Sequence, residues 1–128
     1  MVKGIGIDTV EIARMRARCA RFSGKESAFF QRTFTDAERA EAAQRHDAAA
    51  YYAGRFAVKE AVYKAIAHLT DAAVLDFRSV ETLADAHGCP HVVPSERLAQ
   101  ALEEAGVTEL LVSLTNEGEY ATAIVLAQ

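Results

Sequence analysis

The stretch AGRFAVKEAVYKA, Ala53 to Ala65, decides how the 128-residue chain is read. Phe56, Glu60 and Lys64 recur every four residues, so they stand in one line along a helix, with Arg55 about one turn before Glu60. Asp47 is a candidate N-cap for this helix, which the pattern carries to about His68. Gly54 lies inside it, at about 1 kcal/mol relative to alanine, and its presence points to tight packing. Alanine is abundant from 37 to 67.

Before this helix, Val2 to Asp8 (VKGIGID) reads as a short strand. Ile5 and Ile7 alternate there with Gly4, Gly6 and Asp8. Glycines weaken a strand, so they point to a close approach to the backbone. A helix is expected from Glu11 to Arg21, where Ile12, Met15, Cys19 and Phe22 make an apolar stripe. Arg14, Arg18, Arg21 and Lys25 make a basic stripe about 100° away, and Ser23-Gly24 ends the helix. Thr35-Asp36-Ala37-Glu38 is a capping-box signature for a helix running to Gln44.

After the long helix, Val74 to Leu83 reads as a strand, His87-Gly88 as a turn and His91 to Val93 as a returning strand. Ser95 caps a further helix that stops at Gly106. Glu109 to Leu114 and Tyr120 to Ala127 are strands joined through Asn116-Glu117-Gly118-Glu119. The order β-α-α-α-β-β-α-β-β is α+β, a compact single domain over 1–128 with a mostly antiparallel sheet packed on the long helix.

Composition narrows the function. With 51% hydrophobic and 25% charged residues the chain has enough apolar material for a core. Its apolar runs are too short to cross a bilayer, and its first residues do not read as a signal peptide. Cys19 and Cys89 cannot form a dense disulfide framework and there is no CxxC pair, which fits a reducing, cytoplasmic setting. The net charge of −4 argues against nucleic-acid binding. Residues 12 to 34 nevertheless sum to +5 (six Lys/Arg against Glu26), which leaves −9 for the rest. Such a basic patch on an acidic chain suits an acidic partner or a phosphate-bearing ligand.

Read alone, Glu60 and Lys64 are an exposed helical ion pair and Asp8 is a turn residue or N-cap. His46, His87 and His91 show no metal-ligand spacing with either cysteine, and Cys89 has no visible base. Tyr51, Tyr52 and Tyr63 fit a core or an interface rather than a nucleic-acid platform.

Taken in order, Gly4 to Arg14, Phe34 to Glu38, Ala53 to Ala65, Gly88-Cys89-Pro90, Leu111 to Leu114 and Tyr120-Ala121 resemble the holo-[acyl-carrier-protein] synthase family. These are small 4′-phosphopantetheinyl transferases. The resemblance implies transfer of the phosphopantetheine arm of coenzyme A to a serine of an apo acyl carrier protein, with release of 3′,5′-ADP. It also implies a homotrimer with coenzyme A between subunits, and a role in fatty acid biosynthesis or a secondary pathway. Asp8 and Glu60 would ligate Mg²⁺, and Lys64 would face the phosphates as a point charge. Glu60, or a water held by the metal, would accept the serine proton. Arg55, Lys64, Pro90, Ser113, Thr115 and Asn116 would contact coenzyme A, and Arg14, Arg18 and Arg21 would dock the acidic carrier.

Two departures stand out. Many members carry a histidine near the coenzyme A phosphates where this chain has Asn116, which can hydrogen-bond but cannot titrate or carry charge. Many also follow the lysine with a glycine-rich turn, whereas Ala65 to Thr70 contains no glycine. A binding module of the same fold with little or no catalysis is the alternative that these departures favour, and the retained Asp8, Glu60 and Lys64 oppose it.

Overall fold

A computed structural model describes residues 1–21, 27–71 and 76–128. The elements run β1 (Gly4–Glu11), α1 (Ile12–Arg21), α2 (Ala28–Thr33), α3 (Asp36–Ala43), α4 (Ala48–Ile66), a 3-10 turn (Phe77–Ser79), β2 (Val80–Ala84), β3 (Pro90–Pro94), α5 (Glu96–Ala105), β4 (Leu110–Glu117) and β5 (Tyr120–Ala127). Two antiparallel sheets form, β1-β5-β4 with β5 in the centre, and β2-β3.

Helix α4 lies across one face of the larger sheet, and small residues let it come close. Ala57, Ala61 and Ala65 are fully buried there. A Cβ at Gly4 would sit 1.9 Å from the Ala65 carbonyl oxygen, and one at Gly6 would sit 1.8 Å from that of Ala61. The close approach expected at these glycines is therefore that of α4 itself. Val58, Val62, Ile66, Leu98 and Val125 extend this core. A second cluster, Ile12, Met15, Phe30, Phe34, Ala49, Ala53 and Ala121, seats α1 and α2. The expected apolar stripe of α1 is thus buried at Ile12 and Met15, while Phe22, Ser23-Gly24 and Lys25 lie outside the described residues.

The caps form as expected. Thr35 and Glu38 complete a capping box, and Asp47 accepts from the Ala50 amide and Ser95 from the Leu98 amide, both at 3.1 Å. Gly106 closes α5 at φ 70°, a left-handed conformation suited to glycine.

Four expectations are corrected. Helix α2, capped by Ser27, is additional. Strand β1 continues past Asp8 to Glu11 because β5 pairs with it as far as Tyr120. Within the strand expected from Val74 to Leu83, residues 74 and 75 lie outside the described residues. Phe77 to Ser79 wind into a 3-10 turn capped by Asp76, and β2 starts at Val80. The β4–β5 turn is only Gly118-Glu119, so Asn116 is a strand residue opposite Ala121.

A buried ion pair fixes α4 against its neighbours. Lys59 Nζ lies 2.7 Å from Glu38 Oε1, and neither side chain is exposed. Lys59 also donates to the carbonyls of Phe77 and Val80, and Glu38 Oε2 accepts from the Thr82 amide. All three ammonium protons therefore have acceptors, and one contact set joins α3, α4, the 3-10 turn and β2. Burial pulls Lys59 below the ordinary lysine range, and the Glu38 carboxylate opposes that shift.

Candidate active site

The pleat of β1 turns Gly4, Gly6, Asp8 and Val10 toward α4. Where the glycines end, Asp8 reaches the helix. Lys64 Nζ donates to Asp8 Oδ1 at 3.1 Å and to the Ile7 carbonyl at 3.0 Å. Lys64 thus pairs across to β1, and among the described residues it forms no ion pair with Glu60.

Glu60 stands one turn before Lys64. Burial pushes its carboxyl above the ordinary range, the Asp8 charge adds to the rise, and Lys64 partly offsets it. Asp8 and Glu60 therefore act on each other electrostatically although 52 residues separate them in sequence. Both line a cleft of about 700 Å³ with Thr9, Val10, Glu11, Arg14, Met15, Arg18, Phe29, Phe56 and Tyr120. Glu60 also lines a smaller pocket of about 240 Å³ with Lys59, Tyr63, Asp76, Phe77 and Val80.

The cleft joins the basic stripe to the carboxylates. The Arg18 guanidinium lies 4.0 Å from the Phe29 ring centroid, and Phe29 and Phe56 are stacked at 6.3 Å. Arg14 stands 3.8 Å from Glu11, a loose pair. Arg21 closes α1 on the exposed surface and is not among the cleft-lining residues. Sequence reasoning missed Phe29 because it missed α2. The Ser27 cap signal, three residues before Phe30, marks that helix.

The remaining site residues fall elsewhere. Arg55 and Asn116 share a second cavity of about 340 Å³ with Arg45, His46, Asp47, Ala50, Tyr51, Gly54 and Leu114. Arg55 lies in α4 five residues before Glu60, about 140° away around the helix axis, so the two leave the helix on different sides. Ser113 and Thr115 lie on the face of the sheet opposite α4. Pro90 opens β3 beyond a tight turn, where Asp85 Oδ1 accepts from the His87 and Cys89 amides. Within one chain, then, the residues expected at coenzyme A do not form one surface.

Asp8 and Glu60 thus line one cleft with Arg14 and Arg18, and the Lys64 ammonium pairs with Asp8. The chain belongs to the 4′-phosphopantetheinyl transferase superfamily, whose family model matches residues 4–125. It is 35% identical over 128 residues to the holo-[acyl-carrier-protein] synthase of Thiobacillus denitrificans, covering 100% of this chain and 95% of that one. The crystal structure of the Neisseria meningitidis synthase superposes with a TM-score of 0.83 at 32% identity, covering 100% of this chain and 99% of that one. A synthase–coenzyme A complex from Chronobacterium ammoniagenes superposes at 0.78 with 28% identity, covering 98% and 96%. Among the described residues no helix is long and apolar enough to cross a membrane.

Proposed function

We propose that this chain is a holo-[acyl-carrier-protein] synthase that works through Asp8, Glu60 and Lys64. The carrier serine Oγ bonds to the β-phosphorus of coenzyme A, the bond from that phosphorus to the bridging oxygen breaks, and 3′,5′-ADP leaves. The serine proton passes to Glu60 or to a water that the metal would hold. Lys64 sets its charge against the phosphates. The observation that carries this reading is the convergence of Asp8, Glu60 and Lys64 beside the Arg14–Arg18 cleft. Incubation with coenzyme A, Mg²⁺ and a panel of apo carriers, read by intact mass, tests it. One added phosphopantetheinyl group on a carrier is expected, and an unmodified panel, with coenzyme A bound, favours the binding module.

Asp8 and Glu60 are also the residues that would hold Mg²⁺. Their donors are hard oxygens; burial is the larger cause of the rise at Glu60, and a cation between the two carboxylates would offset the part that the Asp8 charge adds. Among the described residues no third acidic, histidine or cysteine side chain joins them, which suits an ion that keeps several waters. Bound there, the ion would neutralise charge on the leaving phosphate.

The carrier would dock on Arg14, Arg18 and Arg21. Reversing Arg14 and Arg21 to glutamate should raise KM for the carrier far more than for coenzyme A. The difference should shrink with added salt, since screening acts beyond about 10 Å at 0.1 M. Equal effects on both substrates would place the carrier elsewhere.

Assembly as a homotrimer would complete the site. The sheet face away from α4 carries Ile5, Ile7, Leu111 and Ile124, all exposed in the single chain. A neighbouring copy could then bring its Arg55 and Asn116 to the Asp8–Glu60 cleft. Glu60→Gln and Arg55→Gln subunits, each inactive alone, should regain transfer after unfolding and refolding together, because about a quarter of randomly mixed sites carry both intact halves. A mixture no more active than its parts would place both residues in one subunit's site. The cytoplasm is the compartment proposed for this activity.

A further inference from the structure

The Lys64 ammonium is occupied. Its Nζ donates to Asp8 Oδ1 at 3.1 Å and to the Ile7 carbonyl at 3.0 Å, so two contacts hold it on β1. The two partners differ in freedom. The Lys64 side chain is 50% exposed and that of Asp8 19%. Lys64 can leave on its flexible stem, whereas Asp8 is fixed in a strand paired with β5 at Ala123.

The charges at this spot do not cancel. Asp8 and Glu60 bring two carboxylates, and Lys64 is the cation paired with Asp8. The other cations of the cleft are engaged elsewhere, Arg14 beside Glu11 at 3.8 Å and Arg18 over the Phe29 ring at 4.0 Å. A divalent cation held by Asp8 and Glu60 would therefore meet the Lys64 ammonium at one and the same carboxylate. Two cations that close repel in proportion to the product of their charges, and this outweighs the modest attraction of a half-exposed ion pair.

We propose that Lys64 is the resident counter-ion of Asp8 and exchanges there with a divalent cation: as the ion takes Asp8, the ammonium leaves it. The proposal rests on the transferase reading, in which the same ammonium faces the phosphates. Its consequence is a coupling. An anion that draws Lys64 away frees Asp8 for the ion, and the ion frees Lys64 for the anion, by the same factor in each direction.

Mn²⁺ binding to the full chain without nucleotide, followed by the loss of the free ion's electron-spin signal, tests the exchange. Lys64→Met keeps the apolar stem and removes a charge from a half-exposed side chain, so the variant should fold. It should bind Mn²⁺ about fivefold more tightly than the wild type, the size of one exposed ionic contact. Arg18→Gln removes a positive charge from the same cleft that is not paired with Asp8, and its gain should stay below about twofold, as expected of a screened charge. Reductive methylation read by peptide mass follows the ammonium itself, and Lys64 of the wild type should be modified faster with saturating Mg²⁺ than without it. Equal Mn²⁺ affinity in wild type and Lys64→Met, an equal gain in Arg18→Gln, or methylation of Lys64 unmoved by Mg²⁺ overturns the proposal and leaves the metal site standing. Failure of Mn²⁺ to bind any of the three proteins, alone or with inorganic pyrophosphate, overturns that site as well.

Discussion

Lys59→Met is expected to destabilise the chain by about 3–5 kcal/mol, because it leaves Glu38 as a buried carboxylate without its countercharge. For a domain of this size that corresponds to a fall in Tm of about 12–20 °C. Glu38 would still cap α3 and accept from Thr82, but its charge would have no cation in reach. The double variant Glu38→Gln/Lys59→Met should recover much of the loss, since it removes the stranded charge while keeping an amide acceptor. Thermal unfolding of the three proteins at one concentration checks this. A single-variant loss below about 1 kcal/mol would show that the buried pair does not hold α4 in place.

Glu60→Gln is expected to separate activity from stability. Transfer should fall by about 10²–10⁴-fold, the usual contribution of a general base. Stability should move the other way. The folded-state pKa of Glu60 is raised above its unfolded value, so folding binds the proton and the ionised form destabilises the fold. That penalty is complete above the folded pKa and vanishes below the unfolded one. The variant should therefore match or exceed the wild-type Tm at pH 7–8, and the two should converge as pH falls toward the ordinary glutamate range. Added Mg²⁺ should raise Tm in the wild type and not in the variant. A variant less stable than the wild type at neutral pH would mean that Glu60 is held by favourable contacts rather than strained by burial and by Asp8.

Local signals carried much of the fold. The caps at Thr35, Asp47 and Ser95 and the glycine stop at Gly106 each depend on a few neighbouring residues, and each forms where the spacing puts it. Helix α2 did not show because six residues with adjacent phenylalanines offer no period to read. Gly4 and Gly6 announced a close approach, but the approaching element lies 55 or more residues away in sequence. The Lys59–Glu38 pair was invisible for a similar reason, since only the packed fold shows which lysine of α4 is buried. At the site, the motif brought Asp8, Glu60 and Lys64 to notice, and the register of β1 against α4 joins Asp8 to Lys64. The five-residue step from Arg55 to Glu60 already held the clue that the two diverge around the helix.

Transfer by this chain is expected to depend on Asp8 and Glu60 together. The rate of carrier modification by Asp8→Ala, measured by intact mass with coenzyme A and Mg²⁺ on a carrier that the wild type modifies, tests it most directly. Asp8 is a partly buried strand residue paired with Lys64 rather than with the core, so the variant should fold. A folded Asp8→Ala protein is expected to leave the carrier unmodified over the time in which the wild type converts it completely. Conversion at a near-wild-type rate, at limiting Mg²⁺, would contradict it.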